Sequence, residues 1–170
     1  FEKRTGDNVP LNPLSSGFPV TDKFAPVITG IRIHMTDDSS LFDNAERSMS
    51  YDVISKSGRY SLASAPYFHR PFGVLVDCYD KMKAEGMKQA VYDLALYIDS
   101  QLVYRATFDS LDYESRDAVR LEYDYFAAVE DSEPRVRRLY ELPGNSWRGS
   151  RGNGHSIGVI GNDRLSIGKH

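Results

Sequence analysis

The 170-residue sequence contains one cysteine, Cys78. A single thiol excludes an internal disulfide framework and any cysteine-based metal cluster. Cys78 lies in an apolar run, where its simplest role is that of a small buried hydrophobe. No run of about eighteen apolar residues occurs, which excludes a helical membrane span of the usual length. Positive charge is not in excess either: 21 Lys and Arg face 24 Asp and Glu, a net charge of -3. Without a broad basic surface, nucleic acid is not an expected partner. Histidine is scarce, and His34, His69, His155 and His170 are too far apart in sequence for the close pair a catalytic zinc usually takes. No metal ligand and no cofactor is assigned to this chain. The sequence opens on Phe1, with neither an initiator methionine nor a basic-then-apolar leader, and reads as a piece of a longer protein.

What is present is ordinary globular material, 41% apolar and 26% charged. Three regions differ in texture. Residues 1–26 form a connector, punctuated by Pro10, Pro13, Pro19 and Pro26, which fix backbone angles and remove donors. Leu11, Leu14, Phe18, Val20 and Phe24 recur through it, as expected of a segment packed against a folded body. Residues 27–145 carry short alternating runs separated by polar breaks. Residues 146–170 are crowded with glycine and are expected to be a poorly structured tail or the start of a further domain.

Within 27–145 the period is mostly two. Ile28, Ile31 and Ile33 begin one run; Met49 to Ile54 form another, closed by Ser57-Gly58. In the run from Phe72 to Tyr79, Phe72, Val74, Val76 and Cys78 share one face. Tyr92, Leu94, Leu96 and Ile98 share a face, as do Leu102, Tyr104, Ala106 and Phe108. The link Asp99-Ser100-Gln101 makes these two runs a hairpin, although no glycine supplies the positive φ that such turns favour. Many short strands at close spacing predict a mainly β fold, an antiparallel immunoglobulin-like sandwich. Residues 114–130 fit two patterns. Ser115 can cap a helix bearing Val119, Tyr123, Phe126 and Val129 on one face, yet Leu121, Tyr123 and Tyr125 alternate with charges as a strand would. Length and the absence of glycine and proline favour a helical segment.

Few residues point to chemistry. Ser146 and Ser156 have tempting neighbours but no strand to aim them as a nucleophile. Gly149 to Gly154 lack the strand and helix that a phosphate loop requires. Asp37, Asp38, Asp43 and Asp80 read as solvated turns rather than a calcium loop. Arg135, Arg137 and Arg138, near Glu130, Asp131 and Glu133, read as a mixed-charge surface. Tyr113, Tyr123, Tyr125 and Tyr140 are the candidate binding residues: such rings can line a sugar-binding face, or pack the helical segment against the sheet.

Two stretches carry a family resemblance. Phe1-Glu2-Lys3-Arg4, Gly6-Asp7 and Val9-Pro10-Leu11-Asn12-Pro13-Leu14 resemble the junction that follows the His-x-His strand of lysostaphin-type (LytM-like) zinc endopeptidases, with Lys3 replacing the usual apolar residue. Gly17-Phe18-Pro19-Val20-Thr21-Asp22 and Ala25-Pro26-Val27-Ile28 are similar to the linker into an immunoglobulin-like domain in some of those enzymes. Further matches are Pro71-Phe72-Gly73 leading to Tyr79-Asp80, Tyr92-Asp93-Leu94 to Val103-Tyr104, Asp124-Tyr125, and Leu142-Pro143-Gly144-Asn145. The resemblance implies a non-catalytic accessory region of a bacterial cell-wall peptidase, extracytoplasmic, with the parent's zinc ligands lying before Phe1. By the same resemblance, this chain is not itself an enzyme. Its partners would be the upstream peptidase domain and peptidoglycan or an envelope protein. The alternative is a glycan- or peptide-binding module that uses the tyrosines.

Overall fold

The computed structural model describes residues 3–7, 9–12, 17, 22–36, 48–68, 70–109, 116–129, 135–142, 144–145, 147 and 158–161. The fold is mainly β, with antiparallel sheets and little helix. In chain order its strands are β1 (Lys3–Arg4), β2 (Pro10–Leu11), β3 (Val27–Met35), β4 (Ser48–Lys56), β5 (Arg59–Leu62), β6 (Phe72–Tyr79), β7 (Asp93–Ile98) and β8 (Gln101–Thr107). Two short helices, α1 (Arg116–Arg120) and α2 (Tyr125–Val129), then precede β9 (Val136–Arg138). Five strands form one sheet in the order β5-β4-β3-β6-β9, while β1-β2 and β7-β8 are separate pairs.

Strand β6 organises the core because it is buried from Phe72 through Cys78. Its period of two divides these residues between the two faces of the sheet. On one face, Phe72, Val74, Val76 and Cys78 join Ile33, Val103, Tyr104, Ala106 and Trp147, so the β7-β8 hairpin covers that face. On the other, Leu75 packs with Ala127, Val136 and Tyr140, so α2 and the chain after β9 cover it. Each fully buried Val or Leu here contributes about 1.5–3 kcal/mol relative to exposure. The face assigned to β6 by alternation is the observed one, and the opposite face is covered as well.

The β7-β8 hairpin turns through Asp99 and Ser100, at φ 47 and 67, the pair of positive angles of a type I′ turn. No glycine is needed there, because an aspartate tolerates the left-handed region and the serine accepts a cost of about 1–2 kcal/mol. One sequence expectation fails in this hairpin. Leu96 pairs with Tyr104 but Tyr97 pairs with Leu102, leaving Val103 as an extra residue. That bulge shifts the alternation, so Val103 and Tyr104 are both buried and Leu102 faces outward beside the exposed Tyr97.

The 114–130 region satisfies both patterns at different residues. Helical turns flank a short extended step in which Tyr123 bridges to Arg137 of β9. Asp124 then caps α2, its carboxylate accepting the Ala127 amide at 3.1 Å. Ser115 lies outside the described residues. In the connector, β1 and β2 pair in register, the Thr5 amide donates to the Val9 carbonyl, and the Asn12 amide donates to the Asp109 carbonyl at 2.8 Å. Leu11 is half-buried, but Phe24 is exposed rather than packed down.

The glycine-rich stretch departs from the expected loose tail where it is described. Ile160 is 1% exposed and pairs with Phe72 through two backbone hydrogen bonds, extending the sheet past the end of β9. Trp147 is buried and stacks on Phe108 at 4.6 Å. An apolar residue between glycines can thus complete a strand edge without forming a core of its own.

Candidate functional site

Strand β9 places two consecutive arginines on opposite faces of the sheet. Its register pairs Val76 with Arg137 and Leu75 with Arg138, so each arginine enters the cluster to which its partner belongs. Both side chains are buried. The reading of this stretch as a solvated surface is therefore corrected for Arg137 and Arg138. Arg135 is half-buried, 3.8 Å from Asp77. The misreading has a physical reason. Three residues are too few to show a strand period, and nothing local says that both faces will be covered.

Arg138 is bonded through its two terminal nitrogens, while its Nε lacks a hydrogen-bond partner among the described residues. Its guanidinium donates to the carbonyls of Tyr123 and Leu121 and lies 3.5 Å from the Asp124 carboxylate. The Tyr140 hydroxyl sits 2.8 Å from Nδ1 of the buried His34. Burial pushes the Tyr140 phenol above its usual range, and Arg138 pulls it back. Gly73 makes the space for this ring, since a Cβ there would come within 2.3 Å of Tyr140 Cδ1. A Cβ on Gly158, at φ 74, would likewise collide with the Leu139 carbonyl and the Tyr140 backbone.

Arg137 has a different environment. It is 2% exposed, with its Cζ 4.3 Å from the Phe108 ring centroid and 4.9 Å from that of Tyr123. Among the described residues, none of its three guanidinium nitrogens has a hydrogen-bond partner. Nearby, Glu122 is 1% exposed and accepts from the Tyr104 hydroxyl at 2.5 Å and from Asn145 Nδ2 at 2.7 Å. Asn145 Oδ1 takes the Trp147 amide at 3.0 Å. Cys78, on the same face as Arg137, is raised by burial to about 11 with Arg137 acting against the rise, so its thiol stays protonated and unreactive.

The four tyrosines singled out from sequence do not share one exposed face. Tyr113 lies outside the described residues. Tyr123 is half-buried over Arg137, Tyr125 is 67% exposed, and Tyr140 is 3% exposed beneath the sheet. Burial of Tyr140 removes it from any surface groove; of the three described, Tyr125 is the most exposed. Sequence reading missed Arg137, Arg138, Glu122 and His34 as a buried polar set. The usable signal was the string Val136-Arg137-Arg138-Leu139-Tyr140, charge embedded in strand-forming residues.

Among the described residues, no group of three or more His, Cys, Asp or Glu is arranged to hold a metal ion. His69, His155, His170, Ser146, Ser156, Asp37, Asp38 and Asp43 lie outside those residues. Asp80 accepts the Lys81 amide at 2.8 Å, an ordinary turn contact. No described helix is long and apolar enough to cross a membrane. Comparison with family models, curated proteins and solved structures finds no match.

Proposed function

We propose that this chain is a non-catalytic accessory region of an extracytoplasmic zinc endopeptidase acting on peptidoglycan. In this reading it positions the upstream catalytic domain on the wall polymer or an envelope partner. One observation carries the proposal. The motif residues that resemble the lysostaphin-type enzymes serve to hold the fold together. Gly73 makes room for Tyr140, and Asn145 binds the buried Glu122. Motif residues committed to packing are what a spacer requires. The connector supports it too, because the Asn12 amide donates to the Asp109 carbonyl and ties the junction segment to the chain just after β8. The finer description as an immunoglobulin-like sandwich belongs to the same proposal. Its support is the β7-β8 layer lying across one face of the five-stranded sheet.

Co-sedimentation with purified peptidoglycan, together with metal analysis, tests this reading. The purified chain should hold no stoichiometric zinc and release no peptide from the polymer. One bound equivalent of zinc, or peptide release by the chain alone, would sink the accessory role. If the chain sediments with peptidoglycan and Tyr125→Ala abolishes this with the fold intact, the glycan-binding alternative takes its place.

A further inference from the structure

We infer that Arg137 is the receptor of a compact monoanion, a halide or a carboxylate, held inside the layer between β9 and the β7-β8 hairpin. A buried guanidinium presents five N–H donors in one plane, and leaving them unmet in an apolar surrounding is strongly unfavourable. Here all three nitrogens lack a protein partner among the described residues, at 2% exposure. The neighbouring carboxylates are otherwise engaged. Glu122 accepts from Tyr104 and Asn145, while Asp124 faces Arg138 on the opposite side of the sheet and caps α2. Phe108 and Tyr123 pack against the guanidinium, and Trp147 backs Phe108. Aromatic faces attract the cation but accept no conventional N–H hydrogen bond in its plane, so they hold Arg137 while leaving its donors for an anion. The apolar neighbours Val76 and Cys78 on this face offer no further donors, which favours a compact monoanion over a larger, multiply hydroxylated one.

Melting temperature in sodium chloride, sodium formate and sodium gluconate at equal ionic strength tests the site. Chloride or formate should raise the midpoint by roughly 5 °C over the bulky gluconate near saturation. Arg137→Met should abolish that difference. Equal midpoints in all three salts, or a difference that survives in Arg137→Met, would overturn the inference. Should the variant fail to fold, diffraction from wild-type crystals grown in bromide decides. An anomalous peak within hydrogen-bond distance of the Arg137 guanidinium supports the site, and the absence of one there refutes it. Displacement of that peak by formate would identify a carboxylate as the preferred occupant.

Discussion

Arg137 and Arg138 are neighbours in sequence and are both buried, yet they are held by opposite means. Two terminal nitrogens of Arg138 are anchored by carbonyls and a carboxylate, whereas Arg137 rests against two rings with all its donors unmet by described residues. Burial alone therefore says little about what an ionised side chain contributes. A charge woven into hydrogen bonds is costly to remove, because its partners are left behind uncompensated. A charge without such partners can be replaced by an apolar side chain of similar volume at little cost.

The largest effect expected from this contrast is at Arg138. Arg138→Met should destabilise the domain by about 3–5 kcal/mol in denaturant titration, since it strands Asp124 and two carbonyls. Arg137→Met in gluconate should be neutral or stabilising; an equally large loss would erase the distinction between the two sites. Next in size is Gly73→Ala. The added methyl meets the Tyr140 ring, at an expected cost of about 1–3 kcal/mol. Tyr140→Phe should cost about 1 kcal/mol through loss of the His34 hydrogen bond.

The smallest effect lies on the solvent side of the hairpin. Arg105 chiefly holds the Asp93 carboxyl below its usual range, against the opposing effect of burial and with help from Thr107. Because the folded group titrates below its unfolded value of about 4, its contribution is present above that pH. The contribution is lost as pH falls through the folded value. Asp93→Asn should flatten this acid limb slightly while leaving neutral stability nearly unchanged, as expected for a solvent-screened pair. A steep acid limb surviving unchanged in Asp93→Asn would contradict this assignment.

Much of the β architecture was legible in sequence because a half-buried strand writes its period of two directly. Strand β6 and the β7-β8 hairpin lie where alternation placed them. The Val103 bulge was not legible, since a single inserted residue leaves composition unchanged and is detected only by pairing. In 121–124, a strand pattern and a helix pattern overlap, and the pairing of Tyr123 with Arg137 decided which applied locally. The buried arginines were hidden for a related reason. Their environment is created by Phe108, Asp124 and Tyr140, which only tertiary packing brings to β9. Of the proposed tyrosine face, Tyr140 was misplaced because an aromatic ring has the same sequence appearance in a core as on a sugar-binding surface.

The central functional claim meets its most direct test in the coding sequence immediately before Phe1. The account predicts a His-x-His triplet running directly into Phe1-Glu2, with an earlier histidine and aspartate to complete a zinc site. An upstream sequence lacking these ligands would contradict the assignment of this chain to a wall-cleaving zinc peptidase.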